Sequence, residues 1–330
     1  MSNIKAILAT VLALLSTAVA HPISRECEVE QNQITCQCDR NQDFYLPGEH
    51  NYTNATSLSI SSCSTARLLF PHLSEAIHMR QLIVQNISDE LIIEVLFGTR
   101  NISRFELVNI KKIPLISHEA FNGFQNIGRL EIRNAFVERF EEHFVETNVN
   151  ELVLVNVTIA HVEGFNFMEK GKNLEIINCE FRNISTTLKF YFSNVKIVNS
   201  TFEMQKKGTI SIDSDYALLE NNVLFNISME VFASNLIKIS GTCGDGTSSL
   251  RLESNNTESI RNRLPSGINY SLSKRNNESE PVVQYDNVIC IAGNCKCPKT
   301  SGQNGSEGMT SSLKIFFIWL TYMTLKCNVV

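Results

Sequence analysis

The chain has 330 residues, with 29 basic and 34 acidic side chains and a formal charge of −5. No Lys/Arg cluster stands out, which argues against nucleic acid and anionic membrane surfaces as partners. Ten cysteines and a series of Asn-x-Ser/Thr sequons point instead to an exported, oxidised glycoprotein.

An apolar stretch over 6–15 follows Lys5 and leads to Ala18-Val19-Ala20. This predicts a secretory signal peptide over 1–20, because the run is too short to span about 30 Å of hydrocarbon. The next segment, 21–63, holds Cys27, Cys36, Cys38 and Cys63. Four cysteines ahead of a repeat predict an N-terminal cap with two disulfides, whose connectivity spacing alone leaves open. A zinc site at Cys36/Cys38 or Cys295/Cys297 would need Cys or His partners at ligand spacing, and none is found. No metal or cofactor is expected.

The middle of the chain, 64–241, is periodic. Asn86, Asn109, Asn134, Asn156, Asn178, Asn199 and Asn221 recur every 21–25 residues. Apolar residues stand four and two positions before each: Leu82/Val84, Phe105/Leu107, Leu130/Ile132, Leu152/Leu154, Leu174/Ile176, Val195/Ile197 and Ala217/Leu219. A fixed period near 22 predicts a parallel β solenoid whose turns bury their apolar edges against each other. Cys179 stands alone in this region and reads as a small buried apolar residue.

The pattern fades after Cys243. Residues 244–287 are rich in Ser, Asn and Arg, and are read as a long polar loop. They sit in a C-terminal cap over 242–300 that contains Cys243, Cys290, Cys295 and Cys297. A small polar segment, 301–312, then precedes an apolar core over 315–325. Together these predict a glycosylphosphatidylinositol (GPI) attachment signal over 301–330, with Asn304 as the attachment residue. The remaining sequons are Asn51, Asn54, Asn86, Asn101, Asn156, Asn183, Asn199, Asn226, Asn255, Asn269 and Asn277, all expected at the surface.

Three turns can be aligned directly: Leu130-Glu131-Ile132-Arg133-Asn134 to Phe140, Leu152-Val153-Leu154-Val155-Asn156 to Val162, and Leu174-Glu175-Ile176-Ile177-Asn178 to Ile184. They resemble the extracellular leucine-rich repeat family, in the pattern L-x-L-x-x-N-x-I-x-x-I closed by a phenylalanine. The resemblance covers about 58–241 and implies about eight or nine turns between disulfide caps. It also implies a cell-surface recognition protein of the GPI-anchored connectin or chaoptin type. The regular asparagine here lies one residue earlier than the family's. Its position is instead held by Ile87, Ile110, Ala135, Val157, Cys179, Ser200 and Asn222. Two geometries follow. In a right-handed parallel β-helix the asparagines would point inward as a stacked ladder. In a leucine-rich repeat they would sit outside the bend, with the next residue in the core. Glycosylation at Asn86, Asn156 or Asn199 would require the outside position.

Strand alternation then sends a set of side chains onto the concave sheet. Val153, Val155, Ile177, Val198 and Leu218 form an apolar centre. Glu131, Arg133, Glu175 and Lys196 belong to a charged rim, with Glu220 and Lys238. An apolar centre in a polar rim is the anatomy of a protein interface. The expected partner is an extracellular protein or receptor, or a second copy of the chain, met at the outer leaflet. Capture of a secreted ligand is the alternative. A β-helix acting on polysaccharide is a remote third reading, with Asp213 and Asp215 as its nearest carboxylate pair. The chain holds no HExxH, GxSxG or phosphate-binding glycine loop, so it is not expected to be an enzyme.

Overall fold

The computed structural model describes residues 27–290, apart from 40, 47–51, 70–71, 95–99, 119, 122, 266 and 272–282, together with Cys297. The expected signal peptide, the attachment tail with Asn304, the sequons Asn51 and Asn277, and Cys295 lie outside the described residues. The chain falls into two units, 1–296 and 297–330, and the architecture below is that of the first.

This unit is a parallel β solenoid of about ten turns. Long bent strands follow one another: Gln81–Glu94, Asn101–Ile116, Asn126–Phe140 and Asn148–Val162. Each pairs in parallel with the strand one turn away. The apolar pairs named above all point inward, none more than 3% exposed. Each such side chain contributes about 1.5–3 kcal/mol by leaving water. A 3-10 turn at His72–Glu75 is the helix found among the described residues.

Each asparagine of the repeat stands at a corner between two sheet faces. Asn86, Asn109, Asn134, Asn156, Asn178, Asn199 and Asn221 all have φ between 50° and 58°. Ser62, Gly241, Arg261 and Asp286 continue the column in the same left-handed conformation. Asparagine tolerates that region better than other non-glycine residues, since its short amide can bond locally. The left-handed residue interrupts strand alternation. The asparagine therefore faces solvent and the following residue turns inward. Ile87, Ile110, Ala135, Val157, Cys179, Ser200 and Asn222 are all buried.

The two geometries expected from the sequence are thus combined. The asparagines are outside, and they also form a ladder, wet rather than dry. Asn109 Nδ2 donates to Asn86 Oδ1 at 2.9 Å, and Asn134 donates to Asn109 at 2.7 Å. Asn156, Asn178 and Asn199 continue the chain of amides at 2.9, 3.2 and 3.2 Å. Gly241 ends the asparagine run, in the same left-handed conformation at φ 63°. Replacing Asn134 by alanine is expected to cost about 2 kcal/mol, from left-handed strain and two lost ladder bonds. Glycine at the same position keeps the backbone and should cost less than half of that. Urea unfolding midpoints of the two variants decide this, and equal costs would refute the backbone argument.

The sheet is not confined to the first face. A second face follows each corner, as where 158–162 pairs with 136–140. From Leu188–Val198 onward a third face appears. Residues 188–191 pair with 210–213, these with 229–232, then with 250–253 and 268–271.

The solenoid also exceeds the limits read from the sequence at both ends. Gln33–Gln37 and Ser57–Ser61 already pair in parallel with the repeat, so the cap segment 21–63 contributes turns of its own. Cys27–Glu30 closes that end as an antiparallel strand on Gln33–Gln37. Two disulfides pin it, Cys27–Cys36 and Cys38–Cys63, so Cys36 and Cys38 are both spent in disulfides. At the other end, the polar segment read as a loop carries the strand Ser249–Ile260, and Ile268–Ser271, Val283–Tyr285 and Val288–Ile289 pair beyond it. Its inward column is partly polar, with Ser254, Thr257, Ser259 and Asn262 buried. That composition hid it. Cys243, Cys290 and Cys297 are disulfide-bonded. Cys179 is free and buried, its thiol pushed up to about 11 by burial.

In the C-terminal turns, asparagines just after the corner bond to the backbone of the neighbouring turn. Asn222 Oδ1 accepts from Ser200 N at 3.0 Å, and its Nδ2 donates to Ile197 O at 2.9 Å. Asn262 accepts from Thr242 N and donates to Ile239 O. Asn287 in turn accepts from Asn262 N. These amides satisfy backbone groups that the left-handed corner removes from the sheet ladder.

Candidate recognition face

The first sheet face runs upstream of the corners, and register sorts its outward side chains into columns. Glu131, Val153, Glu175, Lys196, Leu218 and Lys238 are consecutive partners in one column. Arg133, Val155, Ile177, Val198 and Glu220 are consecutive partners in the next. All nine expected binding residues therefore fall on one continuous face.

Exposure differs among them. Val155, Ile177, Val198, Leu218, Arg133, Glu175 and Lys196 are half-buried, as side chains standing on a sheet should be. Glu131, 7% exposed, is buried, and Val153 departs furthest from expectation. It lies outside the core cluster yet is only 2% exposed, so it supports the face more than it offers contact. Its register neighbours Glu131 and Glu175 flank it one turn away on either side.

A third column was missed: Arg129, Glu151, Asn173, Asn194, Tyr216 and Leu236. One more step of alternation upstream of each apolar pair would have found it. Its first members are knit together. Arg129 meets Glu131 at 2.7 Å and Glu151 at 3.0 Å, and Arg133 also binds Glu131. Asn173 Nδ2 donates to Glu151 at 3.0 Å, and Asn194 Nδ2 donates to Asn173 at 3.1 Å. Burial would raise the Glu131 carboxyl, but the hydrogen bonds from Arg133 and Arg129 outweigh it and hold the group below the usual carboxylate range. That end of the face is rigid and internally neutralised. From Arg129 and Glu151 onward the columns border a groove of about 510 Å³, lined also by Glu175, Lys196, Tyr216 and Lys238 among others. Tyr216 is 50% exposed.

The sequons avoid these columns. Asn86, Asn156 and Asn199 are exposed at the corner. Asn54, Asn101 and Asn269 are exposed, while Asn183, Asn226 and Asn255 are half-buried. The amides of those last three donate to the carbonyls of Ala160, Met204 and Ser234. An acceptor Nδ2 has two hydrogens, so each can keep that bond and still carry a glycan.

The carboxylate pair considered for catalysis lies elsewhere, on Thr201–Glu220. Asp215 is held by Lys170 at 2.8 Å and by Ser234 Oγ at 3.0 Å. The Lys170 hydrogen bond keeps it below its ordinary range, which suits a structural ion pair better than a general acid. Compared with known protein families, curated proteins and solved structures, the chain matches none.

Proposed function

We propose that this is a GPI-anchored, N-glycosylated cell-surface protein of leucine-rich repeat type that acts in adhesion or extracellular recognition through its first sheet face. One observation carries the reading. An apolar strip of Val155, Ile177, Val198 and Leu218 lies in register across successive turns, framed by charge, on a face that the sequons spare. Such a strip exceeds the scattered apolar residues of an ordinary surface. The disulfides support an oxidising compartment. Capture of a secreted ligand is the second reading, favoured by the groove beside Tyr216.

A cell-mixing assay tests this. Non-adherent cells expressing the full chain are mixed with differently labelled cells, with and without phosphatidylinositol-specific phospholipase C. Adhesion that the enzyme abolishes is expected. Ile177→Arg should cut it at least about tenfold at normal surface level, because it places a charge in the strip. Normal adhesion by Ile177→Arg would remove this face from the function. Surface protein that resists an active enzyme would count against the anchor.

A further inference from the structure

We propose that the first sheet face binds a second copy of itself, with the two solenoids antiparallel about a two-fold axis between the turns of Glu175 and Lys196. This rests on reading that face as a binding surface. It adds the partner and the orientation.

The central column carries the argument. In turn order it reads Glu131, Val153, Glu175, Lys196, Leu218, Lys238. Consider two such faces stacked at the roughly 10 Å spacing of packed sheets. A two-fold axis lying in the interface along the strand direction reverses the turn order and leaves each column opposite itself. Glu175 then meets the second copy's Lys196, while Val153, 2% exposed, and Glu131, held by Arg129 and Arg133, add no contact of their own. The central contact joins acid to base, and the symmetry makes it occur twice, as an isologous interface requires.

The flanking columns agree. In the Arg129 column, Asn173 faces Asn194, whose amides both donate and accept, Glu151 faces the exposed Tyr216, and Arg129 faces Leu236. In the Arg133 column, Ile177 faces Val198, Arg133 faces Ser240, and Val155 faces the aliphatic stem of Glu220. No like charges meet anywhere across these six turns. Shifting the axis by half a turn toward either end, which slides one copy by a whole turn, would place Lys196 on itself or Glu175 on itself. Glu175 and Lys196 are cross-strand neighbours, yet among the described residues neither takes part in an ion pair, so both charges remain available to a partner.

Size sets the strength. Six turns at about 4.8 Å by a strip about 17 Å wide give roughly 500 Å² per copy, about 1,000 Å² in all. That is the lower limit for a specific interface, suited to a weak contact multiplied across two membranes. The antiparallel arrangement sends the two C-terminal ends in opposite directions, as a contact between opposed cells needs.

The test is charge exchange, read by sedimentation of the glycosylated full chain purified from secretory cells. Wild type should dimerise weakly, in the micromolar range or above. Glu175→Lys alone sets Lys against Lys, Lys196→Glu alone sets Glu against Glu, and each should weaken self-association at least about tenfold. Mixed together, the two variants form complementary pairs at both contacts and should recover near-wild-type affinity as a heterodimer. The double variant in one chain should recover it as a homodimer. Circular dichroism and secretion confirm that each variant folds. Single variants that associate like wild type, or a mixture no stronger than its components, would overturn the proposal. A monomeric wild type that still binds a different extracellular protein, in a manner sensitive to Ile177→Arg, would overturn self-pairing and leave the recognition face standing. A monomer that neither binds nor supports adhesion would overturn both.

Discussion

Phe167→Ala is expected to destabilise the solenoid by about 3–5 kcal/mol, the range for emptying a buried aromatic site. Phe167 is 1% exposed and is the hub of an aromatic stack through the interior. Its ring lies parallel to Phe144 at 4.7 Å and edge-on to Phe192 at 4.9 Å. Phe144 stacks in turn on Phe121 at 5.6 Å, and Phe121 meets Phe105 edge-on at 5.4 Å. Such pairs add about 0.5–1.5 kcal/mol each beyond area burial. A solenoid turn touches only its neighbours, so a hole at one turn also weakens coupling between the segments on either side. Urea unfolding should show a lower midpoint and a broader transition. Phe167→Leu, which keeps most of the volume, should lose far less. An alanine variant within about 1 kcal/mol of wild type would mean that the stack does not couple the turns.

The second large effect concerns Glu142. This side chain is 0% exposed. Its Oε2 accepts from Phe121 N at 3.3 Å, and its Oε1 has no hydrogen-bond partner among the described residues. Burial pushes the carboxyl up to about 8, opposed only by the Phe121 amide. In the unfolded chain it titrates near 4.5. Between those values the native state holds a proton that the unfolded state has lost. Stability from this group is therefore whole below pH 4.5 and falls as pH rises toward 8, by about 5 kcal/mol in total. Glu142→Gln keeps the shape and cannot ionise. Its melting temperature should match wild type near pH 5 and exceed it near pH 9, by on the order of 10 °C. Parallel pH profiles for the two proteins would show that Glu142 ionises without cost, and so that it reaches water.

These predictions rest on features of unequal legibility. Spacing alone placed the apolar pairs inside, because in a solenoid the residue one period away is the neighbour across the strand. The same spacing put Val155, Ile177, Val198 and Leu218 on one face. The corner asparagines were visible as a column, but their conformation was not. A period cannot distinguish an inward amide ladder from an outward one, and the left-handed backbone decided it. The turns beyond Cys243 escaped notice because their core is partly closed by hydroxyls and amides, and Asn262 and Asn287 find their backbone partners only once the turns are folded. Nothing in the chain order marks Glu142 as buried, yet the turn closing over Phe121 and Phe144 carries it inside.

By itself, then, the sequence determined the repeat, the inward columns, the spacing of the glycan sequons and the order of charges along the face, since each follows from periodicity. Tertiary structure alone decided which outward residues stay reachable, as the burial of Val153 shows. It also decided that the sheet continues around second and third faces, that Arg129 and Arg133 neutralise Glu131, and that a carboxyl lies buried without a cation. The reason is common to all four. Each depends on the sizes and partners of side chains on neighbouring turns, and a period brings those residues together without saying how they fill the space between them.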